Sequence, residues 1–356
     1  TGTYSAALRR QHGRHTPFAI DTWCLGNEMD GDWQIGHLTA EEYGRKALET
    51  AKLMKWVDKD IKLVVCGSSS PGIKTYPDWD ATVMRHTYEH VDYISLHRYY
   101  SYGESMREFD LMSAHTDFDS FIKTVCSTAD YVRAALRSKK TMKLSVDEWN
   151  VWHTRPVYNC KNTYDDSYEG RWTVGPRRAE NVYDLTDAIS LAGLVCTLIN
   201  NADRVKVGCL AQLINVIAPI MTENGGGVYC QTTYYPYAMA IKYAKGEAVG
   251  TIIKTPKAES EYGDTEKIYA ACTYDEGTFS LFVINKSEED EECELNFASS
   301  DVRMTERYVM TGNLHDYNDF AHPNRVVPVK QEIDKTPTNR LRLPKHSFTL
   351  LRFREN

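Results

Sequence analysis

No Cys-x-x-Cys pair occurs among the nine cysteines, which stand at 24, 66, 126, 160, 196, 209, 230, 272 and 293. That excludes a zinc knuckle and a dithiol redox motif. An odd count without close pairing suits a reducing compartment, so a cytoplasmic location is expected. No apolar run is long enough to span a membrane, and no signal peptide is visible. Positive charge is not in excess: 42 Lys and Arg stand against 49 Asp and Glu, a net charge of −7. An acidic surface attracts neither nucleic acid nor an anionic membrane, so neither partner is expected. The Gly225–Gly227 run lacks the Lys-Ser/Thr of a phosphate loop and reads as a plain turn. What the chain has in plenty is tyrosine, 23 residues, with 7 Trp. Sugar sites use such rings, because the C–H faces of a sugar stack on them. Ordinary core and surface packing accounts for most of these rings.

With 356 residues, 42% of them apolar, the chain can bury a large core and is expected to hold two domains. Residues 1–19 are polar and basic. Ile20 to Glu28 reads as a strand. Thr39-Ala40-Glu41-Glu42 is a capping box that opens a helix to about Val57. Ile61–Gly67 reads as a buried strand, Trp79–Glu89 as a short helix and Val91–His97 as the next strand. Phe118, Phe121, Ile122, Val125, Ala129, Val132 and Leu136 recur at helical spacing over Asp117–Ser138. Met142–Glu148 is a strand, and 151–178 is a polar, aromatic segment of active-site-loop character. A helix over 179–201, a strand over Val205–Asn215 and a helix over Tyr235–Lys245 complete the series. Cys24, Cys66 and Cys209 fall inside apolar strand-like runs, where a thiol behaves as a small hydrophobe.

Strand and helix thus alternate five times, the pattern of a parallel (β/α)8 TIM barrel with its chemistry at the C-terminal strand ends. Eight units close a barrel and five are legible, so the chain reads as a fragment or as one completed by another polypeptide. After about residue 246 the period changes. Lys267–Asp275 and Thr278–Lys286 alternate around Asp275-Glu276-Gly277, a hairpin signal. Glu294–Ala298 and Phe348–Phe353 are further short strands. The expected division is therefore a barrel portion over 1–245 and an antiparallel β-sandwich over 246–356. The acidic run Glu288 to Glu292 reads as a solvated loop.

Two stretches share one grammar. Trp23-Cys24-Leu25-Gly26-Asn27-Glu28-Met29-Asp30-Gly31 and Met142-Lys143-Leu144-Ser145-Val146-Asp147-Glu148-Trp149-Asn150 each run apolar into a terminal Glu. Two strand-end carboxylates on one scaffold are what a retaining glycosidase needs, about 5–5.5 Å apart. The plain alternative is a pair of surface or salt-bridged carboxylates, and the strand-end context argues against it. Tyr99 and Gln212 fall at strand ends on the same expected rim. His97, on an apolar strand, reads equally as a hydrogen-bonded core histidine and as a sugar contact. His86-Thr87-Tyr88-Glu89-His90 fits the H-x-x-E-H metalloprotease pattern, but the helix ends at once in Val91 with no third ligand nearby. Chance explains it better.

The two Glu motifs, with Asp147-Glu148-Trp149-Asn150-Val151-Trp152, resemble the family 51 glycoside hydrolases, the α-L-arabinofuranosidases. So do Ile94-Ser95-Leu96-His97 with Tyr99-Tyr100, the run Leu210 to Met221, and Gln231-Thr232-Thr233-Tyr234-Tyr235-Pro236. The resemblance implies a (β/α)8 barrel with a C-terminal β-sandwich, retaining chemistry, and neither metal nor cofactor. It makes Glu28 resemble the acid/base at the end of the fourth barrel strand and Glu148 the nucleophile at the end of the seventh. Asn27, Tyr99 and Gln212 match positions that hold the arabinofuranose ring or orient the nucleophile, and Trp33 and Trp152 look like pocket rings. Family members carry about three strand–helix units before the position of Thr1, and these are absent here. The implied substrate is an arabinofuranoside-containing saccharide such as a hemicellulose fragment. Implied macromolecular partners are further copies in a homo-oligomer and a separate N-terminal polypeptide completing the barrel. A β-1,4-endoglucanase on the same scaffold and an inactive, carbohydrate-binding fragment are the competing readings.

Overall fold

The computed structural model describes residues 2–102, 106–153, 179–297, 301–333 and 339–356. The chain divides into two compact units, Thr1–Ser95 with Thr128–Lys143 and Leu96–Ser127 with Leu144–Asn356. In order, the elements of the repeating part are α1 (Tyr4–Gln11), β1 (Thr22–Cys24), α2 (Ala40–Val57), β2 (Lys62–Val65), α3 (Asp78–Thr87) and β3 (Tyr93–Tyr100). They continue as α4 (Glu108–Met112), α5 (His115–Leu136), β4 (Lys143–Val151), α6 (Leu185–Asn200), β5 (Val205–Leu210), β6 (Ile220–Thr222), β7 (Val228–Cys230) and α7 (Tyr234–Tyr243). In the first unit β1 pairs in parallel with β2, and β2 with the start of β3. In the second, the remainder of β3 neighbours β4, and β4 pairs in parallel with β5. A helix follows each strand, so five β/α repeats of a (β/α)8 barrel are present.

The first unit shows how local signals set these elements. Thr39 accepts from the Glu42 N–H while Glu42 reaches back to the Thr39 N–H, closing the expected capping box at the start of α2. From that helix Tyr43 lies against Trp79 of α3, ring centroids 5.5 Å apart. Its buried hydroxyl donates to the Leu25 carbonyl at 3.1 Å and accepts from the Cys66 N–H at 2.8 Å. One phenol therefore ties the end of β1 to the end of β2. Tyr43→Phe leaves both backbone groups unpaired, and stability is expected to fall by about 1–3 kcal/mol. A lowered urea midpoint at unchanged slope is the measurement.

The strands differ from the sequence reading in instructive ways. β1 is three residues long rather than nine; Gly26 at φ 141° and Glu28 at φ 46° take the chain out of strand geometry before Glu28. β4 continues past Glu148 to Val151. Cys66 is buried, but Cys24 and Cys209 are exposed. They lie on β1 and β5, the first and last strands of the five-stranded sheet formed by the described residues. Among the described residues no two cysteines are joined in a disulfide, and Cys160 lies outside them. The expected 151–178 loop does so too, from residue 154 onward.

The rest of the second unit is antiparallel. It contains β8 (Glu247–Val249), β9 (Lys257–Ser260), β10 (Gly263–Glu266), β11 (Ile268–Asp275), β12 (Thr278–Asn285), β13 (Glu291–Glu294), β14 (Val302–Thr311), β15 (Val329–Lys330), β16 (Arg340–Leu343) and β17 (Ser347–Glu355). Six of them form a sheet in the order β15-β14-β17-β12-β11-β8. The expected hairpin joins β11 to β12 through Glu276 and Gly277, both at positive φ (44° and 78°). That two-residue turn matches the twist of the flanking strands. Because side chains alternate, β12 is buried on both faces. Phe282 and Ile284 pack with Leu185, Ile189 and Cys196 of α6. Leu281 and Val283 pack with Leu341 and Leu343 of β16. The acidic run is only partly a solvated loop. Glu291 and Glu292 pair with Leu343 and Arg342 as strand β13, and Arg342 holds Asp290 at 2.6 Å.

Candidate active site

In the first unit, Glu28 sits on a turn closed by the Gly31 N–H donating to the Glu28 carbonyl at 2.9 Å. Its Oε2 accepts from the Trp33 indole N–H at 2.7 Å and from the Gln34 amide at 3.3 Å. Trp33 reaches back because its ring lies against the bare Cα of Gly31; a Cβ there would stand 2.5 Å from the indole. Asn27 is exposed beside Glu28. Beneath the turn Asp30 is buried, and burial raises its carboxyl above the usual carboxylate range. Hydrogen bonds from Ser69 act against that rise, and the Glu28 charge adds to it.

In the second unit, Tyr99 donates its hydroxyl to Glu148 Oε1 at 2.5 Å. His97 stands between two carboxylates, its Nδ1 3.5 Å from Glu148 Oε2 and its Nε2 3.2 Å from Asp147 Oδ1. Consecutive residues of a regular strand face opposite ways, so one histidine should not meet both. A β-bulge explains it. Val146 pairs with Gly208 and Trp149 with Leu210, so β4 carries one residue more than β5 across this interval. The extra residue re-aims Asp147 and Glu148 together. The Trp152 ring meets Tyr99 edge-on at 5.1 Å. Asn150 donates to the carbonyls of Ala211 and Ile217, both at 2.6 Å, and so holds the segment that carries exposed Gln212. The Ala211–Gln212 peptide is cis.

A family profile described as the α-L-arabinofuranosidase C-terminal domain matches residues 147–347. The exo-α-(1→6)-L-arabinofuranosidase of Bifidobacterium longum is 38% identical over 371 residues, covering 98% of this chain and 69% of its own length. The chain belongs to the family 51 α-L-arabinofuranosidases. A family 51 enzyme structure from the same organism superposes with a TM-score of 0.90 at 32% identity, over 99% of this chain and 70% of that one. The intracellular exo-α-(1→5)-L-arabinofuranosidase 1 of Bacillus subtilis is 49% identical over 298 residues, 83% of this chain. The chain spans 58% of that relative's length and between 49% and 57% of three others.

Within this family member, the second unit brings Tyr99, His97, Trp152 and Glu148 together, and the first brings Trp33 to Glu28. Four contributors escaped the sequence reading: Gln34, Asp147, Asn150 and Asp30. Asp147 and Asn150 flank Glu148 inside the quoted motif, so their position was in view but their partners were not. The H-x-x-E-H match does not lie on one helix. α3 ends at Thr87, Glu89 and His90 are exposed, and His86 Nε2 lies 2.7 Å from Glu41.

Proposed function

We propose that the chain carries both catalytic carboxylates of an exo-acting, retaining α-L-arabinofuranosidase, with Glu148 as nucleophile and Glu28 as acid/base. The observation that carries this reading is the 2.5 Å donation from Tyr99 to Glu148, with His97 on the other oxygen. The short hydrogen bond fixes the direction of the carboxylate, as a nucleophile requires. In the first step Glu148 attacks the anomeric carbon while protonated Glu28 donates to the departing oxygen. In the second, Glu28 as carboxylate takes a proton from water, which breaks the glycosyl–Glu148 bond and restores both groups. The chemistry requires the two carboxyls about 5–5.5 Å apart and uses no metal or cofactor. With Trp33 donating to Oε2, the acid proton is favoured on Oε1. Asn27 and Gln212 are assigned to ring hydroxyls, Trp33 and Trp152 to the sugar faces, with 1–245 the catalytic portion and 246–356 the β-sandwich. Relatives named exo-α-(1→5)- and exo-α-(1→6)-L-arabinofuranosidases support terminal arabinofuranosyl groups as substrate, and the word intracellular in several names supports a cytoplasmic setting.

The test is hydrolysis of 4-nitrophenyl α-L-arabinofuranoside by this chain, with Glu148→Ala as control. Release of single arabinose, lost in the control, is the expected result. Cleavage of a β-1,4-glucan without arabinose release would transfer the assignment to an endoglucanase. The exposed edge at β1, where Trp23 is 43% exposed, favours a second reading in which turnover needs a further polypeptide covering that strand. Restoration of activity by an added N-terminal segment would decide for it.

A further inference from the structure

Glu28 lies at φ 46°, in the left-handed region that a side chain occupies only when its surroundings hold it there. The restraint comes from residues the reaction does not use. The Met29 N–H donates to Cys66 Sγ at 3.3 Å, and the Met29 carbonyl accepts from the Leu38 N–H at 3.3 Å. Asp30 makes the strongest tie. One of its oxygens, Oδ2, accepts both from the Ser69 N–H at 2.9 Å and from the Ser69 hydroxyl at 3.0 Å. Asp30 is only 7% exposed, so these bonds are shielded from water.

The receiving segment is itself fixed. Asp80, at the start of α3 and fully buried, accepts from the Ser68 N–H at 2.8 Å and from its hydroxyl at 2.9 Å. The Gly67 N–H donates to Ser95 Oγ at 3.2 Å, and a Cβ on Gly67 would stand 2.1 Å from the Ser95 carbonyl oxygen. Asp30 therefore anchors the Glu28 turn to a stretch that cannot yield. The other Asp30 oxygen, Oδ1, is buried without a hydrogen-bond partner among the described residues. A half-satisfied buried carboxylate is costly to keep where a neutral side chain could sit. Stability alone gives no reason to retain it.

We propose that Asp30 is a positioning residue for the acid/base, holding the 28–31 turn so that Glu28 delivers its proton to the leaving oxygen. This rests on the assignment of Glu28 above. The experiment compares the unmutated chain, Asp30→Ala, Asp30→Asn and Glu28→Ala on an aryl arabinofuranoside with a good leaving group and on an unactivated arabinofuranosyl oligosaccharide. Asp30→Ala is expected to lower kcat/KM on the unactivated substrate by about 10-fold or more, up to the 10²–10⁴ that a general acid contributes. On the aryl substrate kcat/KM, which reports the first step alone, should change by less than about 3-fold, because a good leaving group needs little proton assistance. Asp30→Asn, which keeps an acceptor oxygen for Ser69, should retain most of the lost rate. Equal losses of kcat/KM on both substrates, or a loss on the oligosaccharide that lies in KM alone, would overturn the proposal.

A second readout does not depend on turnover. Hydrogen exchange at the Gly31 amide, which closes the turn, should speed up about 10-fold in Asp30→Ala and remain near the unmutated rate in Asp30→Asn. Unchanged exchange in Asp30→Ala would remove the tether even in an inactive preparation. An inactive unmutated chain with the expected exchange pattern would keep the tether and decide for the reading in which turnover needs a further polypeptide.

Discussion

Glu148→Ala is expected to bring turnover of natural and aryl arabinofuranosides alike down to background, whereas Glu28→Ala should lose activity mainly on the natural ones. Without Glu148 there is no covalent intermediate, and a better leaving group cannot replace the missing nucleophile. Without Glu28 the first step loses proton transfer to the leaving oxygen, worth about 10²–10⁴ on an unactivated glycoside. An aryloxide departs without that help, so its loss appears chiefly in the hydrolysis of the glycosyl-enzyme. Azide extends the contrast. Filling the space left in Glu148→Ala, it attacks the anomeric carbon once and yields an inverted glycosyl azide. In Glu28→Ala it attacks the glycosyl-enzyme and yields a retained one. Equal losses on both substrates for Glu28→Ala, or retained product from Glu148→Ala, would take the acid/base and nucleophile roles away from these residues.

The contacts on Glu148 add a graded test of the same assignment. Tyr99 donates one short hydrogen bond and His97 stands within 3.5 Å of the other oxygen. Tyr99→Phe removes a donor to an ionised partner, an interaction typically worth about 1.5–3 kcal/mol. If the bond persists through the reaction's first step, kcat should fall on both substrates, by less than in Glu148→Ala.

Local signals in the sequence found the elements, and distant ones decided the chemistry. Thr39 and Glu42 announce α2 because their bonds span three residues. Glu276-Gly277 announces the β11–β12 hairpin because the turn itself demands positive φ. The five β/α repeats follow from hydrophobic period alone. The placement of Glu28 outside its strand does not, because it depends on Gly26, Gly31 and a tether from Asp30 to Ser69, 39 residues away. The bulge that turns Asp147 and Glu148 onto one histidine is equally silent. It arises from the register of β4 against β5, which no local pattern encodes. Exposure of Cys24 and Cys209 likewise reflects their place on the first and last strands of the five-stranded sheet, not the apolar character of the runs that contain them.

Lys286, at the end of β12, gives the second large effect, on stability. It is 1% exposed, with its ammonium 3.0 Å from Ser113 Oγ, 2.9 Å from His115 Nε2 and 3.2 Å from Thr265 Oγ1. No carboxylate is among these partners. Burial pulls the Lys286 pKa down from 10.5 to about 7, and Glu266 opposes this only weakly. Burial also holds His115 well below its ordinary value, with the Lys286 charge adding to the effect, so the imidazole is neutral and accepts. In the unfolded chain the lysine keeps its proton to about pH 10.4. Between about pH 7 and pH 10 the unfolded state therefore binds the extra proton, and stability should rise with pH by up to about 1.4 kcal/mol per unit. Lys286→Met has nothing to titrate there. Its own cost, a His115 Nε2 left without a donor, is independent of pH over that window because His115 stays neutral. Urea midpoints for both proteins at pH 6, 8 and 10, at constant ionic strength, isolate the term, because tyrosines and thiols titrating in the same range are common to both. The unmutated protein should gain on the variant steadily from pH 7 upward. Parallel pH curves would mean that Lys286 keeps an ordinary pKa inside the fold, and that water or a countercharge reaches the pocket between Ser113, His115 and Thr265.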